Sequence, residues 1–169
     1  TSVVTADFLK KAESSEMKKM LEFALGIANE EVKGAETFLR NDNRVLPEPF
    51  TVKDILKSDS KYYSDNFVLL LKYRLGQDAL NLYNLNFTTA INSEVKQFYK
   101  KILSETVELM DMCTDLLIKM GLHKPLIHIP RNEIADKVDE QSFLGNLFGE
   151  NRPLSVPEVF QLTSNYLST

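Results

Sequence analysis

Cysteine occurs once in the 169 residues and histidine only twice, and each scarcity removes a class of protein. A lone thiol, Cys113, excludes an internal disulfide framework, and its helical surroundings suit a small buried hydrophobe better than a reactive thiol. The histidines, His123 and His128, lie five residues apart in GLHKPLIHIP, a proline-containing stretch read as an extended strap. No Glu-x-x-His pair occurs, so the histidine half of a di-metal carboxylate centre is missing. No glycine-rich phosphate loop is present, and Ser, His and Asp are not organised by a nucleophile elbow. Gly145 and Gly149 have G-x-x-x-G spacing, but outside a long apolar span that spacing carries little meaning.

Basic charge is in deficit. Twenty Lys and Arg against 24 Asp and Glu give a formal charge of -4 and a pI near 5.3, so no broad positive field draws a phosphate backbone and no nucleic-acid partner is expected. The longest apolar run, Phe67 to Leu71, falls far short of the roughly 18 to 20 residues of a membrane span. At the start, TSVVTADFLKK shows no charged leader ahead of an apolar core, so a cytoplasmic protein is expected. With 43% hydrophobic and 26% charged residues, composition is that of an ordinary globular chain. Its length suits a single domain able to bury roughly two thirds of its unfolded surface.

What the chain does contain is helical periodicity. From Glu16 to Leu39, residues Met17, Leu21, Ala24, Ala28, Ala35 and Phe38 recur at three- and four-residue steps, with Ser14 or Ser15 as cap. From Asp65 to about Thr89, started by Ser64, Val68, Leu71, Leu75 and Leu82 with flanking Leu69, Leu80 and Tyr83 predict a wide, deeply buried face. After Asn92-Ser93, a third long segment carries Val95, Tyr99, Ile102, Leu109, Cys113, Leu116 and Met120 before Gly121, a residue suited to a left-handed cap. Methionines 17, 20, 110, 112 and 120 read as adaptable core packing.

The connections set the layout. Ala90 to Ser93 is short enough to make the last two long helices antiparallel neighbours. Asn41 to Tyr63, with Pro47 and Pro49, can travel the roughly 40 Å of a long helix at up to about 3.3 Å per residue, so the first two long helices can run parallel. Thr1 to Ala12, with Phe8, Leu9 and Ala12 apolar, supplies only about half the fourth helix; half a groove is expected to stand open. Near the other end, Ser155 and Glu158 form a capping box for a helix over 155–167 carrying Val159, Phe160, Thr163, Tyr166 and Leu167. That helix is too short to persist alone and must dock, either completing the short column, in its own bundle or a neighbour's, or covering a bundle end. The expected organisation is one domain, 1–169: bundle core about 1–121, strap 122–154, docking helix 155–167.

Three carboxylates invite a chemical reading. Glu31 falls between Ala28 and Ala35, Asp78 between Leu75 and Leu82, and Glu105 between Ile102 and Leu109. With the directions argued above they would lie near one level, where burial would require a cation, raised pKa values or basic partners. A divalent cation held by oxygen ligands is one solution, with Tyr73 and Glu108 as outer candidates. The competing solution is ion pairing, because Arg74 precedes Asp78 by four residues and Lys101 precedes Glu105 by four.

Between Lys137-Val138-Asp139 and Ser155 to Phe160 lies QSFLGNLFGENRPL, which sets Phe143, Leu144, Leu147 and Phe148 between two glycines in a polar tail. This wedge reads either as an intrachain lid or as a surface for partners or self-assembly. The whole stretch resembles an uncharacterised family of spore-forming bacteria, a domain of unknown function often labelled a spore coat protein. The resemblance covers nearly the whole chain and implies a ferritin-like helical fold, agreeing with the all-α four-helix bundle, long middle crossover, strap and docking helix read above. It also implies deposition on the spore and coat-protein partners. The combined expectation is a noncatalytic structural or assembly protein, homo-oligomeric as a dimer, with interaction residues Phe143, Leu144, Leu147, Phe148, Val159, Phe160 and Tyr166 and no cofactor. The alternative is a carboxylate-rich metal-binding bundle, an oxidoreductase using Glu31, Asp78 and Glu105; a third reading is a small-molecule cavity between helices.

Overall fold

Serine and asparagine side chains start each of the three long helices. In the computed structural model, which describes residues 2–48, 51, 60–123, 158, 159 and 162, α1 is Ser2–Lys11, α2 Ser15–Asn41, α3 Asp65–Thr89 and α4 Ser93–Lys119. Ser14 Oγ accepts from the Met17 amide at 3.0 Å and Ser64 Oγ from the Phe67 amide at 3.2 Å. Asn92 Oδ1 accepts from the Glu94 and Val95 amides. Each satisfies donors that the first helical turn leaves without partners. Gly121, at φ 66°, ends α4 in the left-handed region, and the Leu122 amide returns to the Leu117 carbonyl at 2.8 Å.

Helix directions follow from side-chain pairs. Glu30 pairs with Lys101 and Glu16 with Lys119, so α2 and α4 are antiparallel. Gly76 faces Met110, and Tyr83 lies beside Tyr99 with centroids 6.3 Å apart, so α3 and α4 are also antiparallel. The two helices on either side of the long connection, α2 and α3, are therefore parallel. Principal packing joins α3 to α4, α2 to α4, and α1 to α2. Among the described residues all elements are helical, and no helix is long and apolar enough to cross a membrane.

The core is concentrated at one end. Met17, Met20, Leu21, Leu69, Ile102, Cys113 and Leu117 are almost completely buried. There the α1–α2 turn is tied to α3: the Glu13 and Ser14 amides donate to Asp65 Oδ2 at 3.1 and 3.4 Å, and Lys61 bridges Glu13 and Asp65 at 2.8 Å each. Tyr63 stacks on Phe67 and meets Phe8 edge-on. Expected core positions are corrected: Met120, in the cap of α4, is exposed, Leu75 and Leu82 on α3 are exposed instead of deeply buried, and Ala35 on α2 is exposed as well.

The chain divides into two units, Thr1–Lys124 and Pro125–Thr169. In the second, Glu158, Val159 and Leu162 are described; all three are helical, and Val159 and Leu162 are exposed.

Candidate functional site

Among the described residues, apolar positions on α2 and α3 change from buried to exposed along each helix. Seven-residue lines along a helix keep nearly one direction, which makes the effect visible. On α3, Val68 is 5% exposed where it borders Phe8 of α1, whereas Leu75 and Leu82, one and two heptads on, are 41% and 52% exposed. On α2, Leu21 and Ala28 are buried while Ala35 on the same line is exposed, as is adjacent Val32. Among the described residues, these apolar lines run on past Ser2 of α1 into exposure.

Where residues of all four helices meet lies a cleft of about 80 Å³, lined by Thr5, Ala28, Lys72, Leu75, Ala79 and Tyr83 among others. Lys72 is only 8% exposed. Its ammonium donates to Thr5 Oγ1 at 2.5 Å and sits 5.9 Å from the centroid of the Phe8 ring, an arrangement that combines a hydrogen bond with cation–π attraction. No ion pair among the described residues involves it. Burial pushes the Lys72 pKa down, opposed weakly by nearby Cys113; burial pushes the Cys113 thiol up to about 11. Across the cleft the Tyr83 phenol is raised, first by burial and then by the charge of Glu31 and a hydrogen bond with its carboxylate.

The carboxylates named from the sequence have separate partners. Glu31 is half-buried beside Tyr83. Asp78 is exposed and paired with Arg74 at 3.5 Å, and Glu105 is paired with Lys101 at 3.5 Å. Among the described residues no group of three or more His, Cys, Asp or Glu is placed to hold a metal ion. Of the outer candidates, Tyr73 is half-buried against the core and Glu108 is exposed. Phe143, Leu144, Leu147, Phe148, Phe160, Tyr166 and His128 lie outside the described residues; Val159 is helical and exposed, and His123 is exposed. Sequence reasoning missed Lys72 and Thr5. The available signal was the stripe Leu69, Lys72, Gly76, Tyr83, helically spaced and buried throughout, with one charge in it.

One family, described as Protein of unknown function (DUF3231), matches residues 1–134. No curated protein and no solved structure matches the chain.

Proposed function

The chain belongs to that family of unknown function, and from this premise we propose that it is a noncatalytic structural or assembly protein whose exposed apolar face on α2 and α3 is covered by a helix. The observation that carries the reading is the continuation of the α2 and α3 apolar lines through Val32, Ala35, Leu75 and Leu82 into exposure. Isolated exposed apolar residues are common; two facing lines of them favour a docking surface. From Ala28 to Leu39 the α2 side of that face is about 17 Å long, and the helix expected over 155–167 is about 20 Å. Glu158, Val159 and Leu162 of that segment are helical, which supports the match.

The reading commits to a second copy as the donor, because reciprocal exchange covers both faces by the same contact and closes as a dimer. Two hairpins joined by the long 42–64 connection support the ferritin-like arrangement that the resemblance implies. The resemblance alone brings in coat association and deposition on the spore.

Deleting Ser155–Thr169 and measuring mass in solution by light scattering tests the exchange. The full chain is expected to be a dimer and the truncated chain a monomer with lower stability. Leu75→Gln combined with Leu82→Gln is expected to give the same dissociation. A monomeric full chain, or a truncated chain that remains dimeric, overturns the exchange.

A further inference from the structure

Glu30, Gly34 and Phe38, spaced four residues apart, share the side of α2 that meets α4. Glu30 pairs with Lys101, Gly34 lies under the Phe98 ring, and Phe38 meets that ring edge-on with centroids 5.5 Å apart. Because Gly34 carries no Cβ, the Phe98 ring can rest on the α2 backbone. Along this seam runs a groove of about 540 Å³, within the roughly 300–1,000 Å³ of small-molecule sites. Phe38 and Phe98, both half-buried, line it. The charges on it are two ammoniums, Lys33 and Lys101, and one carboxylate, Glu30. Glu30 is compensated by Lys101, whereas no ion pair among the described residues involves Lys33. Asn29, also lining the groove, stands four residues before Lys33 and so places its amide donors on the same side of the helix.

We propose that this groove binds a flat aromatic monocarboxylate, its rings against Phe38 and Phe98 and its carboxylate on Lys33 and Asn29. The carboxylate supplies the anion that Lys33 lacks, through a charge-assisted hydrogen bond. Phenylalanine faces and edges favour an aromatic ring over a saturated one of the same size. From Lys33 to Phe38 the helix rises about 7–8 Å, which suits two fused rings. A cation in the same place would meet both Lys33 and Lys101. The groove shares no residue with the exposed face of Val32, Ala35, Leu75 and Leu82 assigned to a second copy, so either reading can fail alone.

Titration of the isotope-labelled full chain at pH 7 with 2-naphthoate, its neutral analogue 2-naphthylmethanol and the saturated decalin carboxylate, followed by amide chemical shifts, tests it. Naphthoate is expected to saturate at one per chain, with the largest shifts at Gly34 and Phe98, and both analogues to bind more weakly. Lys33→Gln is expected to weaken naphthoate about two- to fivefold, the scale of a partly exposed ion pair, while leaving naphthylmethanol unchanged. Lys100→Gln, which removes a charge from outside the groove lining, is expected to change neither, and Thr37→Trp, which fills the groove, to weaken both. Circular dichroism establishes that each variant is folded. Absence of saturable naphthoate binding overturns the proposal. So do shifts centred on Leu75 and Leu82, and so does a Lys33→Gln variant that binds naphthoate as the natural chain does or loses no more than Lys100→Gln.

Discussion

Lys72 Nζ donates to Thr5 Oγ1 at 2.5 Å, fastening α1 to α3. The hydroxyl is the hydrogen-bond acceptor for a cation whose pKa burial drives down, so the two residues are unequal partners in stability. Thr5→Val leaves Lys72 buried without that acceptor and is expected to cost about 1–3 kcal/mol in urea unfolding. Lys72→Met removes the buried charge itself and is expected to be no less stable than the natural chain at pH 7.

The pH dependence has a definite sign. Because the folded-state pKa of Lys72 is depressed, the unfolded chain holds the proton more tightly. Between the folded pKa and the unfolded value near 10.5 it binds more protons than the native state, and stability from this group rises with pH. Cys113, raised to about 11, acts in the opposite direction above its unfolded pKa, and so does Tyr83 at higher pH. The stability difference between the natural chain and Lys72→Met largely cancels both. That difference is expected to move in favour of the natural chain as pH rises from 7 toward 10; a flat difference contradicts the assignment.

Asp65 provides the acid-side counterpart. Burial alone would raise its carboxyl, but the hydrogen bond from Lys61 and those from the Glu13 and Ser14 amides prevail and hold it below the usual value. Its contribution is therefore fully present above the unfolded pKa near 3.8 and is lost as pH falls through the lower folded value. Asp65→Asn is expected to lower stability at pH 7 and to flatten acid unfolding between pH 5 and the native midpoint, as followed by circular dichroism.

Much of this fold is legible in the sequence because the cues are local. Ser14, Ser64 and Asn92 cap where their hydrogen-bonding side chains dictate, and Gly121 takes the positive φ. The facing of α3 is not legible in the same way. Leu75, Asp78, Leu82 and Leu85 form one helically spaced line, and Leu69, Lys72, Gly76 and Tyr83 another. Hydrophobicity favours the first, whereas the second is buried, because α4 packs on it, with Met110 against Gly76 and Tyr99 beside Tyr83. Periodicity reports that a helix has a face, but which face is covered depends on where the other helices pack.

Close approach at two glycines gives a graded test. A Cβ on Gly34 would collide with the Phe98 ring, and one on Gly76 with Met110 Sδ. Phe98 is wedged between Phe38 and Tyr99, with centroids 5.5 and 5.3 Å away, so it yields poorly; Met110 is flexible and can swing. Gly34→Ala is expected to cost about 1–2 kcal/mol as overpacking exceeds the gain in helix propensity. Gly76→Ala is expected to stay within about 1 kcal/mol of the natural chain for the opposite balance. Equal losses in urea unfolding would contradict the difference in rigidity.

The three carboxylates read from the sequence as a cation site yield the last expectation. The ion pairs of Asp78 with Arg74 and of Glu105 with Lys101 relieve the repulsion that would otherwise call for a metal. A hard divalent ion would have to draw these groups away from their partners and assemble several oxygen ligands at once. Loading with Fe(II), Mn(II) and Zn(II) under anaerobic conditions, followed by exhaustive desalting and mass spectrometry of metal content, is expected to leave no stoichiometric ion that disappears in Glu31→Ala, Asp78→Ala, Glu105→Ala. The exposed Asp78 pair contributes little, about 0–1 kcal/mol, so the variant's loss of stability should come mainly from Glu31 and Glu105. A bound ion lost in the variant would instead mean that these side chains converge when metal is supplied, and an oxygen-consumption assay would then be the deciding measurement of redox chemistry.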